Sequence, residues 1–140
     1  YIILDKQYSA SFEIAKSEEE MIVEKIKIAL ISLVADIPIN IREKTSDYLA
    51  SILHREYKVL SKIFSKNENS TIEKYFIKLK IEKVKELIQL RQHTFSDIAY
   101  MLDYSSVNHL SRQFKEIMGM SMTDYKNSQE WQRGFLDEII

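Results

Sequence analysis

Residues Thr94 to Lys126 read TFSDIAYMLDYSSVNHLSRQFKEIMGMSMTDYK. The spacing of Ile98, Ala99 and Leu102 makes one apolar stripe and predicts a short helix. Thr94 stands where an N-cap hydroxyl belongs, and Asp97 three residues on completes a variant of the capping box. Asp103-Tyr104-Ser105 carries turn chemistry, and Asp tolerates a left-handed backbone better than most residues. A second helix follows, in which Leu110 and Phe114 point inward while Asn108, Ser111, Arg112 and Lys115 face out. Two short helices at a steep angle, the second offering amides and cations, fit a helix-turn-helix reader of DNA.

The same pattern occurs earlier in the chain. Thr45 to Ser65, TSDYLASILHREYKVLSKIFS, lays over it. Thr45 matches Thr94, Leu49-Ala50 matches Ile98-Ala99 and Leu53 matches Leu102, all 49 residues apart. Leu60-Ser61-Lys62 then matches Leu110-Ser111-Arg112, and Phe64 matches Phe114, at a separation of 50, so the second turn holds one extra residue. Internal self-similarity of this kind carries more weight than either copy alone.

Together these stretches resemble the DNA-binding domain of AraC/XylS-type bacterial transcription regulators. The resemblance covers roughly Ile39 to Asn127 and is strongest over IAYMLDYSSVNHLSRQFKEIMGMSMTDYK. It implies an all-α fold in which two helix-turn-helix units share a long linker helix. It also implies sequence-specific binding to double-stranded DNA in the cytoplasm, with RNA polymerase a candidate partner. The chain departs from the family at His54 and Asp103, where glycine is usual in the two turns, and at Met122, where proline is usual. Gly119 is retained.

Elsewhere the reading rests on residues alone. Ser17-Glu18-Glu19-Glu20 has the form of a helix start, and the helix is expected to run to about Ala35. Its apolar residues spread beyond one face, so it needs extensive burial, against the first unit or against a twin in a homodimer. Tyr1 to Leu4 is strand-like, and a lone strand suggests the end of a missing upstream domain. Pro38 ends the helix, because it disfavours helical backbone at Ile37. A second long helix is expected over about Thr71 to Leu90, with two apolar faces able to serve two small cores. The expected domains are therefore 1–38 as an N-terminal segment and helix, 39–127 as the double reader, and 128–140 as a tail. In that tail Trp131, Phe135, Leu136, Ile139 and Ile140 are expected to cover the domain rather than to bind a ligand.

Composition sets limits. Two Gly and one Pro in 140 residues argue against an all-β fold. With no Cys there is no disulfide and no thiolate site, and no apolar run reaches membrane-spanning length. Residues 55–126 carry 13 basic and 9 acidic side chains, while residues 1–36 carry 4 and 7. Positive charge is thus concentrated on the doubled segment, where phosphates would lie.

Within that segment Arg112 is the expected base reader, because its planar fork matches guanine O6 and N7. Asn108 suits adenine, Val107 a thymine methyl, and Ser111 and Lys115 complete the exposed set. Lys58, Ser61 and Lys62 hold the matching places on the first recognition helix. Thr45, Lys66 and Thr94 are expected phosphate contacts, the two threonines through amides at helix starts. No catalytic residue, cofactor or metal site is expected: His54, His93 and His109 are scattered, and no HExxH motif or phosphate-binding glycine loop occurs. The competing reading is a degenerate pair of units serving as a protein-interaction module. The exposed cations of both recognition helices argue against it.

Overall fold

The computed structural model describes the backbone of residues 2–139 and the side chains of residues 18–130. Seven helices follow one another without a strand among the described residues: α1 (Ile2–Ala35), α2 (Thr45–Leu53), α3 (Tyr57–Glu68), α4 (Ile72–Leu90), α5 (Phe95–Met101), α6 (Val107–Met118) and α7 (Met122–Ile139). The chain divides into two compact units, residues 1–33 with 41–76 and residues 34–40 with 77–140. Each contains one helix pair of the repeat, α2 and α3 in the first, α5 and α6 in the second.

The core of the first unit is Val23, Ile26 and Leu30 of α1 against Leu49, Leu60, Phe64 and Ile72, all buried. In the second unit Ile81, Val84, Leu87 and Ile88 of α4 are buried with Ile98, Leu102, Leu110, Phe114, Met122 and Tyr125. The cores repeat each other closely. Phe64 meets Tyr75 with ring centroids 5.6 Å apart, and Phe114 meets Tyr125 at 5.8 Å. Fifty residues also separate Thr71 from Ser121, whose hydroxyls accept the amides of Lys74 and Asp124 at 3.1 and 3.0 Å. The repeat therefore extends past the helix pairs into the first turns of α4 and α7.

The turns repeat as well. His54 and Asp103, 49 residues apart, both take left-handed backbone, with φ of 55° and 59°. Asn69 and Gly119 do the same after α3 and α6, their amides donating to Ser65 O at 3.0 Å and Lys115 O at 2.8 Å. A left-handed residue after a helix satisfies an otherwise orphaned carbonyl, and glycine does so with least strain. A Cβ at Gly119 would meet nothing within 4 Å, so any cost there is backbone strain alone. Gly119→Ala is accordingly expected to destabilise the protein by about 1 kcal/mol. His54→Gly should do the reverse by about 0.5–1 kcal/mol, since relief of the strain exceeds the added chain entropy. Urea midpoints at constant slope would read both.

Several expectations change. α1 is a single helix from Ile2, so Ile2 to Leu4 does not supply a strand, and Ser17 to Glu20 lies inside the helix instead of starting it. A four-residue apolar run has no β partner, and helix propagates readily through the Lys, Glu and Ala that follow. Asn67-Glu68-Asn69-Ser70 has the composition of a polar break, yet Asn67 and Glu68 belong to α3, which turns only at Asn69. α7 runs on through the tail as one helix to Ile139. The expected covering role of Trp131, Phe135, Leu136, Ile139 and Ile140 falls outside the described side chains. Leu90 continues the apolar pattern of α4 but is exposed.

Candidate nucleic-acid interface

Both recognition helices are fixed from behind by the same residues at the same places. Leu60 and Phe64 of α3, and Leu110 and Phe114 of α6, are fully buried. One hundred degrees per residue then turns the opposite face of each helix outward. Lys58 and Lys62 are exposed on α3, and Asn108, Arg112 and Lys115 on α6. Ser61, Val107 and Ser111 are half-buried on the shoulders of these faces. Lys58 pairs with Asn108 and Lys62 with Arg112 in the repeat, so each helix presents two polar side chains one turn apart.

The start of α6 is pinned more firmly than that of α3. Ser106 caps it, accepting the His109 amide at 3.0 Å. The preceding residues carry Tyr104, a buried ring whose hydroxyl donates to Gln113 Oε1 at 2.5 Å. Lys80 Nζ lies 4.2 Å from the centre of that ring, and His109 meets its edge at 5.2 Å. Burial pushes the Tyr104 phenol above its usual range and the Lys80 ammonium below its own, Asp103 partly offsetting the latter. On the first unit Arg55 occupies the place of Tyr104 and is exposed. There the Tyr57 hydroxyl donates to the Glu73 carboxylate, tying the first turn of α3 to the first turn of α4. Burial first, and this carboxylate second, raise the Tyr57 pKa. Tyr104, Gln113, Tyr57 and Glu73 were not singled out as positioning residues by the sequence reading. Tyr75 and Tyr125 were a readable signal, because they stand 50 residues apart like the helices they support.

The three expected phosphate contacts differ in their surroundings. Thr94 caps α5 with a full capping box: its hydroxyl accepts the Asp97 amide at 3.1 Å and its own amide donates to the Asp97 carboxylate at 3.1 Å. That amide is engaged with the Asp97 carboxylate, which stands at the helix end beside the first-turn amides expected to meet a phosphate. Thr45 is the first residue of α2 and half-buried; Lys44 holds the cap position without a side-chain bond. Lys66 is exposed, with Glu19 of α1 at 3.5 Å. Asn67 donates to the same Glu19 carboxylate at 3.0 Å and, with Lys66, keeps its pKa below the usual value.

The capping box bears directly on the second reader, because α5 has only seven residues and packs on α6. Thr94→Ala is expected to cost about 1 kcal/mol of stability, checked by chemical denaturation. The Thr94 amide and hydroxyl depress the Asp97 pKa. A depressed carboxylate stabilises above its unfolded pKa, so this contribution fades as pH falls through the folded value.

The fold and its exposed faces define a double helix-turn-helix domain of the DNA-binding class. A family model described as a helix-turn-helix domain matches residues 49–128, more than half of the chain. The chain belongs to this family, in its AraC/XylS-type form, and is a DNA-binding transcription regulator. No curated protein matches the sequence significantly. Among solved structures it is similar to the C-terminal domain of AraT, a response regulator from Geobacillus stearothermophilus. The TM-score is 0.67 at 20% identity, over 76% of this chain and 84% of that one. It is similar also to a DNA-binding transcriptional dual regulator from Escherichia coli K-12, at TM-score 0.66 and 18% identity over 79% and 93% of the two chains. A third similar structure is the DNA-binding domain of AdpA, a global transcriptional factor solved with a target DNA. It gives TM-score 0.66 and 16% identity over 81% and 96%. Among the described residues no helix is long and apolar enough to cross a membrane.

Proposed function

We propose that the protein is a sequence-specific transcription regulator whose two recognition helices, α3 and α6, read two successive major-groove segments. The observation that carries this reading is the repeated exposed pair, Lys58 and Lys62 on one helix, Asn108 and Arg112 on the other. Each pair stands on a core of the same construction. Base discrimination falls mainly to the second helix. Arg112 offers two parallel donors to guanine, and Asn108 offers the donor and acceptor that adenine requires. Val107 beside them suits a thymine methyl. Lys58 and Lys62 are point charges with little base preference, so the first helix contributes chiefly phosphate contacts. Lys115 and Lys66 add positive charge, Lys66 after release from Glu19. Support comes also from AdpA, a similar fold solved on its target DNA.

Selection of bound duplexes from a random pool, at two salt concentrations, tests the proposal. The expected outcome is an asymmetric site with a strong block and a weaker block about one helical turn, ~34 Å, apart. Affinity should fall steeply with salt while the selected bases stay the same. Absence of any enriched sequence, with binding that disappears as salt rises, would overturn the proposal in favour of a protein-interaction module.

A further inference from the structure

α1 takes hold of the last turn of α3 at three consecutive residues, Lys66, Asn67 and Glu68. The Glu19 carboxylate accepts the Asn67 side-chain amide at 3.0 Å and pairs with Lys66 at 3.5 Å, and Lys27 pairs with Glu68 at 2.8 Å. Asn67 is steadied by its own helix, donating also to Ile63 O at 2.8 Å. One of the three residues belongs to the outward face as well. Lys58, Lys62 and Lys66 stand four residues apart, so each step turns only about 40° and the three form one row. Lys62, in the middle, lies opposite the buried Leu60 and Phe64. The Lys66 side chain is 71% exposed, and it alone of the row has an acidic partner among the described residues.

We propose that Glu19 is a latch on the first reader, withholding Lys66 from DNA, so that a duplex phosphate and the α1 carboxylate compete for one ammonium. This rests on α3 facing DNA, as proposed above. A phosphate brought to Lys66 also approaches Glu19, and like charges at that range repel. The latch therefore opens before the third lysine of the row engages. Asn67 strengthens the closed state, because its amide holds the carboxylate at the edge of α3 whether or not Lys66 is there. Coupling of this kind is reciprocal. Whatever draws Glu19 away raises affinity for any duplex, and a duplex in place loosens α1 from the last turn of α3. On α6 the matching places, fifty residues on, hold Glu116, Ile117 and Met118. No lysine stands there to be withheld, so the device acts on the first reader alone.

Affinity of the 140-residue chain for a selected duplex and for an unrelated one, each across a salt series, tests this, with thermal melts as folding control. Glu19→Gln keeps an acceptor for Asn67 and removes the charge that holds Lys66. It is expected to tighten binding to both duplexes about two- to fivefold, the size of an exposed ion pair. The salt slope should steepen by about 0.9, as one more phosphate is met. Lys66→Gln should change little in the parent and should abolish the gain in Glu19→Gln. Glu20→Gln, which removes the same charge one residue on, should leave affinity unchanged. Unchanged affinity for Glu19→Gln in a variant that melts like the parent would overturn the latch. So would a gain that survives Lys66→Gln or is matched by Glu20→Gln, since either marks a general field of α1. Equal affinity of the parent for the two duplexes would overturn base reading instead, and the Glu19–Lys66 cycle would still decide the latch. Binding to neither duplex would overturn both.

Discussion

Phe114→Ala is expected to destabilise the second unit by about 3–5 kcal/mol, the largest effect of any single side chain considered. Phe114 is fully buried and meets Tyr125 edge-on at 5.8 Å. Its removal leaves a cavity lined by a ring that has lost its partner. Tyr125 is itself held by the Gln89 amide, which donates to its hydroxyl at 2.7 Å. That bond resists movement of the ring into the vacated space, so collapse is restricted and the cost falls toward the upper part of the range. Phe64→Ala should act comparably on the first unit, since Phe64 is also fully buried and meets Tyr75. Hydrogen exchange separates the two cases. Phe114→Ala should lower amide protection mainly in α5 and α6, and Phe64→Ala mainly in α2 and α3. Equal loss of protection in all four helices from either substitution would show the units to unfold together.

The repeat explains why so much of this fold could be read from sequence. Leu60 and Phe64, with Leu110 and Phe114, placed both recognition helices inside their cores before any coordinates. Thr94 with Asp97 marked the start of α5 correctly, because a capping box is local chemistry that needs no tertiary partner. Local signals misled where tertiary or longer-range context decides. Ser17 to Glu20 has the form of a helix start, yet α1 runs through it. Glu19 there serves the far end of α3, binding Asn67 and Lys66. Leu90 fits the apolar pattern of α4 but lies in its last turn, where no packed element covers it. Lys80 and Tyr104 come together across α4 and the turn before α6, 24 positions apart, with no spacing rule to announce them. The left-handed His54 was open in the sequence, since histidine adopts that backbone less readily than glycine. Its match to Asp103 in the repeat was the better guide.

Arg112→Ala is expected to weaken binding to the selected site by about 1–3 kcal/mol, or roughly 5- to 150-fold, and to relax preference at one base pair. The argument starts from placement. Arg112 is exposed on α6, one turn beyond Asn108, and its helix is fixed behind it by Leu110, Phe114 and the Tyr104–Gln113 bond. A guanidinium on so firmly held a helix loses little freedom in making two parallel hydrogen bonds, and a substituted base leaves both donors unmet. Lys115→Ala gives the contrast. A lysine near phosphate contributes to every sequence alike, so its loss should lower affinity uniformly and reduce the salt slope by about 1. Arg112→Lys separates charge from geometry, since it keeps the cation and removes the fork. It should retain most of the salt slope while losing most of the base preference. If Arg112→Ala and Lys115→Ala had the same profile across all base substitutions in the site, Arg112 would be a phosphate contact. Base reading would then pass to Asn108, which is also exposed on that face.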